Sequence, residues 1–261
     1  MTVRLVDRVG RPLLGCVVFA AAVGIWEAVA RSEGSFLLPT ASAVAERAWH
    51  VWPTPEFLSN VEASLRRLAA GYAIGAWIGV AVGVAMGSSR WMRQALEPLV
   101  ELLRATPAIA LVPALIVILG AGDRMRITVI AFGVVFPVLV NSMDGVRAIS
   151  PELHETASLL RMGRAERILR IDLPAALPSI FAGLRIAVSI GLVMVVISEL
   201  VGGGDGLGHY LLVEQSEYDI PEMYAGILFL GLLGLALNGV FVLVERRALS
   251  WHRGTTGHGE R

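Results

Sequence analysis

The stretch GVRAISPELHETASLLRMGRAERILRIDLPAALP, residues 145–178, decides how this chain is read. It is charge-dense and helix-compatible, yet it lies between runs too apolar for a water-soluble fold. Four acids, Glu152, Glu155, Glu166 and Asp172, are interleaved with five arginines, Arg147, Arg161, Arg164, Arg167 and Arg170. Ser150, Pro151 and Glu152 open a helix, with a hydroxyl at the N-cap, a proline in the first turn and an acid against the positive dipole end. Leu153, Ala157 and Leu160 give that helix a narrow apolar stripe. Gly163 closes it, and a second helix over 165–172 runs into Ile171-Asp172-Leu173-Pro174, where Pro174 restricts its predecessor. Two helices too short to cross a bilayer therefore project from the apolar body. Two readings fit them: an amphipathic element on a lipid surface, or a knob seated in a groove of a soluble partner. The balanced charge leans toward the protein groove.

The surrounding chain is the membrane part. Of its 261 residues 55% are hydrophobic and only 17% charged, against about 25% charged in globular domains. Its mean hydropathy is +0.67. All 22 basic residues are arginine and the formal net charge is zero, which gives no general attraction to nucleic acid. Cys16 is the single cysteine, so an intramolecular disulfide and a cysteine cluster for zinc are excluded; in its apolar run it is expected to be a small core or lipid-facing residue.

A crossing takes about 20 mainly apolar residues, and six stretches approach that length: 13–30, 68–86, 98–119, 127–142, 175–198 and 223–244. Arg4, Arg8 and Arg11 precede the first, which carries no small-residue cleavage site and reads as an uncleaved span. Between the first two, prolines mark breaks around a short surface helix at 43–52, and Trp49, Trp52 and, near the other terminus, Trp251 suit a membrane interface. The second span carries Gly71, Gly75, Gly79, Gly83 and Gly87 on one helical face, a spacing that favours close packing within one bundle. Pro107 and Pro113 interrupt the third. With both termini inside, sixteen of the arginines fall on the side of 145–173 and six opposite, as the positive-inside bias requires. Arg66 and Arg67 are on the minority side.

Taken as a set, several segments resemble the permeases of ABC importers, in the nitrate, taurine, aliphatic sulfonate and bicarbonate branch. Residues 145–174 are similar to the EAA loop of that family: Glu155, Thr156 and Ala157 are followed at the family's spacing by Ile171, Asp172, Leu173 and Pro174. The chain departs from the pattern at the loop glycine, where Arg161 stands and Gly163 follows two residues later. FLLPTASAV, SLRRLAAGYAIGAWIGVAVGVAMG, FPVLVNSMDGVR, LPAALPSIFAGLRIA and DGLGHYL look like the same branch, so the resemblance covers nearly the whole chain.

The resemblance implies an all-α integral membrane protein, a six-helix type I importer bundle with cytoplasmic coupling helices between helices 4 and 5, in a bacterial inner membrane with both termini cytoplasmic. It divides the chain into a tail at 1–11, a first helix and external segment at 12–62, a permease core at 63–247 containing the coupling loop 145–174, and a tail at 248–261. It implies two cytoplasmic ATP-binding subunits, an extracytoplasmic solute-binding protein and a second permease copy, with lipid around and no nucleic acid. Glu155 would be the polar anchor on the ATPase, Ala157 and Leu160 the apolar contact and Gly163 the hinge, with Thr156, Arg161, Ile171, Leu173 and Pro174 completing the coupling set. The loop 201–222 would face the binding protein.

No GxxxxGK[ST] motif occurs, since GGGDGLGH at 202–209 lacks the lysine and a preceding strand, so the chain is expected to be no enzyme and to hold no cofactor, ATP belonging to a partner. His154 and His209 have no second ligand at metal spacing, so no metal is expected. Arg104, Pro107, Pro113 and Glu199 are the candidates for the translocation path. For Arg104 the competing reading is a side chain snorkelling to the interface, and for Glu199 an acid in water at a helix end. Arg185 is expected to pair with a neighbouring helix or the 145–178 insert. The solute would be a small anion of sulfonate, taurine, nitrate or bicarbonate type, the alternative being an uncharged vitamin or pyrimidine precursor. An ion-coupled transporter would want ionisable residues in mid-membrane, which the second, fourth and sixth spans lack, and no paired catalytic residues suggest an intramembrane hydrolase.

Overall fold

A computed structural model describes residues 3–250 and the side chains of 14–153 and 155–250. Arg4, Arg8, Arg11, His154 and Trp251, and the tail from 251 onward, lie outside those side chains. Among the described residues the structure is all-helical: α1 Val3–Glu33, α2 Ala41–Val51, α3 Pro55–Ser88, α4 Arg90–Ala105, α5 Ala108–Leu119, α6 Asp123–Arg147, α7 Pro151–Leu159, α8 Arg164–Arg167, a π-helical turn Ile168–Asp172, α9 Leu173–Gly202, α10 Leu207–Glu217 and α11 Ile220–Ala248. Five of the helices are long and apolar enough to cross a membrane, and α4 with α5 makes a sixth candidate crossing bent by 94°.

The helices reach beyond the apolar runs. α3 starts at Pro55, so Arg66 and Arg67 lie within the helix and not in a connection before it. The third span is two helices. Pro98 and Pro113 are accommodated inside α4 and α5, and the chain breaks at Thr106, in extended conformation, before Pro107. A proline disfavours helical conformation in the residue before it, which places the break there.

The chain forms two compact units, one of residues through Ser59 with Tyr210–Phe229, the other of Asn60–His209 with the segment from Leu230. The first thus takes in 210–229, which the sequence reading had placed in the permease core. In it Thr40 caps α2 by accepting from the Ala43 amide, and Val44 and Ala48 pack with Ala225, Trp26, Trp52 and Tyr224. The Trp52 indole donates to the Ala225 carbonyl at 3.2 Å, while Trp49 is exposed. Cys16 is exposed on α1, as a lipid-facing residue would be.

The second unit is organised by the glycine stripe. A Cβ at Gly71 would lie 2.6 Å from the Ile130 side chain, and one at Gly75 2.6 Å from the Ala131 carbonyl oxygen; Gly79, Gly83 and Gly87 face the next turns of α6 in the same way. Leu68 and Tyr72 of α3, Ile130, Val134 and Val138 of α6, and Ala187 and Val195 of α9 then share one core. Gly75→Leu is expected to push α3 off α6 and lower the melting temperature in detergent, an overpacking cost of about 1–3 kcal/mol. Gly231→Leu on α11, where a Cβ would meet nothing within 4 Å, is the control and leaves the melting temperature unchanged.

Candidate functional site

Three places in the second unit carry the residues of interest: the projecting loop after α6, a groove beside the bent span, and the far ends of α3, α6 and α9.

The loop forms the short helix α7 as expected, but the second segment does not end at Pro174: from Arg164 the chain runs through α8 and the π turn into α9 as one continuous helix to Gly202, and the joint after α7 also differs. Ser150 stands at the N-cap of α7 but its hydroxyl makes no capping bond; it bonds the Glu152 carboxylate and lowers the pKa of that exposed acid. Ala157 is buried within the chain, so it anchors α7 and does not present surface. The apolar surface at the tip comes from Leu159, 82% exposed, and Leu160, 69% exposed. Thr156 turns its hydroxyl back to the Glu152 carbonyl. Glu155 is exposed and lines an open groove of about 600 Å³ with Arg93, Arg147 and Ser158.

The bend between the helices is at Arg161 and not at Gly163. The Met162 amide donates to the Ala157 carbonyl at 3.1 Å and the Arg161 amide to the Ser158 carbonyl at 3.0 Å, the paired bonds of a Schellman helix end. Arg161 takes the left-handed position with φ +53°, whereas Gly163, with φ −65° and ψ 156°, is an ordinary extended residue before α8. The register at which the family has glycine is therefore the one that needs it. Past α8 the chain continues through the π turn into α9. Asp172 is fully buried there, 3.5 Å from the Ser88 hydroxyl and 3.4 Å from Arg167 Nε. Ile168 and Leu173 pack on Val84, Val146, Ala176 and Ile180; Ile171 is half-buried and Pro174 exposed.

Beside the break in the third span lies an open groove of about 520 Å³, whose lining includes Arg104, Thr106, Pro107, Phe132, Phe136, Asn141 and Met194. Arg104 pairs with Glu101 at 2.8 Å. Two of the four path candidates, Arg104 and Pro107, are thus brought together; Pro113 is exposed elsewhere on α5 and Glu199 is remote from the groove. Arg185 donates to Asn238 on α11 at 3.3 Å.

Glu199 is not an acid in water. It is fully buried and accepts from the Ser64 hydroxyl, the Gly208 amide at 3.0 Å and Arg67 Nη1 at 2.9 Å. Arg67, 1% exposed, also donates through Nε to Asp123 at 2.7 Å and through Nη2 to Asp205. Arg126 joins Asp205 at 3.0 Å, and Arg66 joins Asp123 at 3.0 Å. Three guanidinium groups balance three carboxylates. Burial works against the charge on Asp205, but Arg67 and Arg126 outweigh it and hold its pKa below the ordinary carboxylate value. Gly206, at φ +108°, lies so close to the Glu199 carboxylate that no Cβ would fit. In the sequence, Arg66 and Arg67 stand out only as arginines on the minority side. The missed signal is that Arg67, Asp123, Arg126, Glu199 and Asp205 all fall at the same ends of their spans.

Residues 72–250 match the family model described as binding-protein-dependent transport system inner membrane component. The chain belongs to this family. It is therefore a permease of an ABC importer, with the all-helical permease fold. It is 28% identical over 245 residues to a Bacillus subtilis permease assigned to aliphatic sulfonates transport, covering 93% of this chain and 89% of that one. It is also 28% identical over 248 residues to the nitrate import permease of Leptolyngbya laminosa, covering 92% and 88%. Among solved structures it resembles a bacterial ABC transporter involved in import of the acidic polysaccharide alginate, with TM-score 0.62 at 15% identity over 94% of this chain and 99% of that one, a likeness of fold.

In the first unit, the carboxylates of Glu214, Asp219 and Glu222 converge within 4.8 Å, a grouping able to hold a metal ion. Arg47 already supplies a cation there, at 2.6 Å from Asp219 and 2.5 Å from Glu222. Burial first, then Glu222, Glu217 and Asp219, push Glu214 up from 4.5 to about 7. A carboxyl whose pKa is raised by folding contributes its stability below its unfolded value and loses it as pH rises through the folded one. The melting temperature is expected to fall between about pH 5 and about pH 8, and Glu214→Gln to remove that slope. At the coupling loop, Arg161→Gly is expected to raise the melting temperature slightly, since a non-glycine left-handed residue costs about 1 kcal/mol. Gly163→Ala, with nothing within 4 Å, is expected to leave it unchanged.

Proposed function

We propose that this permease works with two cytoplasmic ATP-binding subunits, each receiving the α7–α8 loop of one of two permease copies, and takes its solute from an extracytoplasmic binding protein. The observation that carries the reading is the tip of the loop. Leu159 and Leu160 are held out from the chain beside the exposed Glu155, on a helix that Ala157 anchors from behind. A pair of exposed leucines on a rigid short helix suits a groove of a soluble partner. The arginine excess on that side favours a cytoplasmic loop and cytoplasmic termini. ATP-driven closure of the partner subunits would then rock the helices around the path, a rigid-body switch.

The solute path runs along the groove beside the broken span. Its lining combines a cationic end at Arg104 with an apolar wall that includes Phe132, Phe136 and Met194. That pairing suits an oxyanion carried on a hydrocarbon body, as in an organic sulfonate, better than a small inorganic anion. An entering anion would compete with Glu101 for Arg104, so the site need not hold an uncompensated charge when empty.

Leu159→Glu with Leu160→Glu is expected to abolish co-purification of the ATP-binding subunit while the permease still inserts; undiminished co-purification would overturn the docking role. For the solute, proteoliposomes containing the whole importer are expected to take up an alkanesulfonate, and Arg104→Gln to lower kcat/KM by about tenfold. Preference for nitrate, or for an uncharged vitamin, would overturn the organic-anion reading.

A further inference from the structure

We infer that Arg67 ties α3, α6, α9 and the loop 203–206 into one rigid body, so that a displacement entering α9 at the π turn reaches the far end of these helices without slip. The inference rests on the reading that the α7–α8 loop receives the push of an ATP-binding subunit.

The three helices interlock along their length. The glycines of α3 face α6; in return a Cβ at Gly145 of α6 would lie 2.6 Å from Ser179 of α9, and one at Gly183 of α9 2.7 Å from Asn141 of α6. Gly191 of α9 faces both Leu68 of α3 and Val134 of α6. Side chains seated against opposing backbone resist sliding, because each step of translation must pass through a clash. At the near end, the buried Asp172, where the π turn passes into α9, lies against Ser88 at the end of α3.

Arg67 closes the far end. From α3 its single guanidinium reaches Asp123 at the start of α6, Glu199 near the end of α9, and both the carboxylate and the carbonyl of Asp205 in the loop. The loop is held as well by Arg126 on Asp205 and by the Gly206 amide on Asn60, and it carries Gly203, Gly204 and Gly206 at positive φ. The five donors of arginine, spread over a planar fork, make four bonds here, and the three donors on the single nitrogen of lysine cannot reproduce them. Pulling α3 away from α9 would strip the fully buried Glu199 of its guanidinium partner, so moving the helices together is the cheaper motion.

The test uses the full permease–ATPase complex in nanodiscs with Cys16→Ser, and spin labels at Glu62→Cys on α3 and Val201→Cys on α9, both exposed. Labelled copies are diluted into unlabelled ones, and distances are read in the nucleotide-free and vanadate-trapped states. With Arg67 in place the distance is expected to be the same in both states; in Arg67→Lys it is expected to differ between them by about 2 Å or more. A state-dependent distance with Arg67 present would overturn the rigid body. An unchanged distance in Arg67→Lys, even with a lower melting temperature, would overturn the role of Arg67. Should Arg67→Lys fail to assemble, Asp123→Asn alters a half-exposed member of the cluster that links α3 to α6, and the same expectation is read between Glu62→Cys and Arg124→Cys, exposed at the start of α6. Failure of the ATP-binding subunit to co-purify with the unsubstituted permease would instead sink the docking reading, and this inference with it.

Discussion

The distance between α3 and α6 is the constraint on which the second unit depends. In lipid, apolar side chains gain little by leaving their surroundings for one another, so helices associate through close van der Waals contact. Five glycines four residues apart bring the α3 backbone against the ridge of Ile130, Val134, Val138, Ser142 and Val146. The approach puts Leu68 and Tyr72 within reach of the α9 core residues and brings Arg67 to the acid that starts α6. Wider spacing would leave the guanidinium short of its partners.

The six apolar runs and the projecting loop were legible because hydropathy and helix-end chemistry are local. What escaped is what depends on neighbours. The third span reads as one apolar run, yet the residue before Pro107, disfavoured from helix by the proline, is extended, and the break there is a turn of 94°. Gly163 is the obvious hinge by composition; the left-handed position is fixed by where α7 runs out of partners, and that falls on Arg161. Ala157 belongs to the apolar stripe of α7, but sequence does not say which side of the stripe the bundle covers. Of the path candidates, Arg104 and Pro107 share a groove because the bend folds them toward α6, a relation no linear spacing carries.

Arg66 and Arg67 show what a charge count across a membrane measures. The positive-inside bias counts the cations of short loops and span ends, whatever acids lie near them. Arg67 is spent internally on Asp123, Glu199 and Asp205, and Arg66 on Asp123. Both are paired within the fold, Arg67 in a buried position and Arg66 in an exposed one. The position of Arg67 marks a buried ionic cluster at that end of the spans.

The π turn at Ile168–Asp172 fixes something besides continuity. A π turn takes up one residue more than an α turn, and each residue of helix is about 100° of rotation. The turn therefore sets the azimuth of α8 about the continuous helix it shares with α9. Losing one residue there would swing the face of α8 about a quarter of a turn while every residue of the exposed loop stayed the same. Two permeases with identical loop sequences but different turns would thus present that face in different directions.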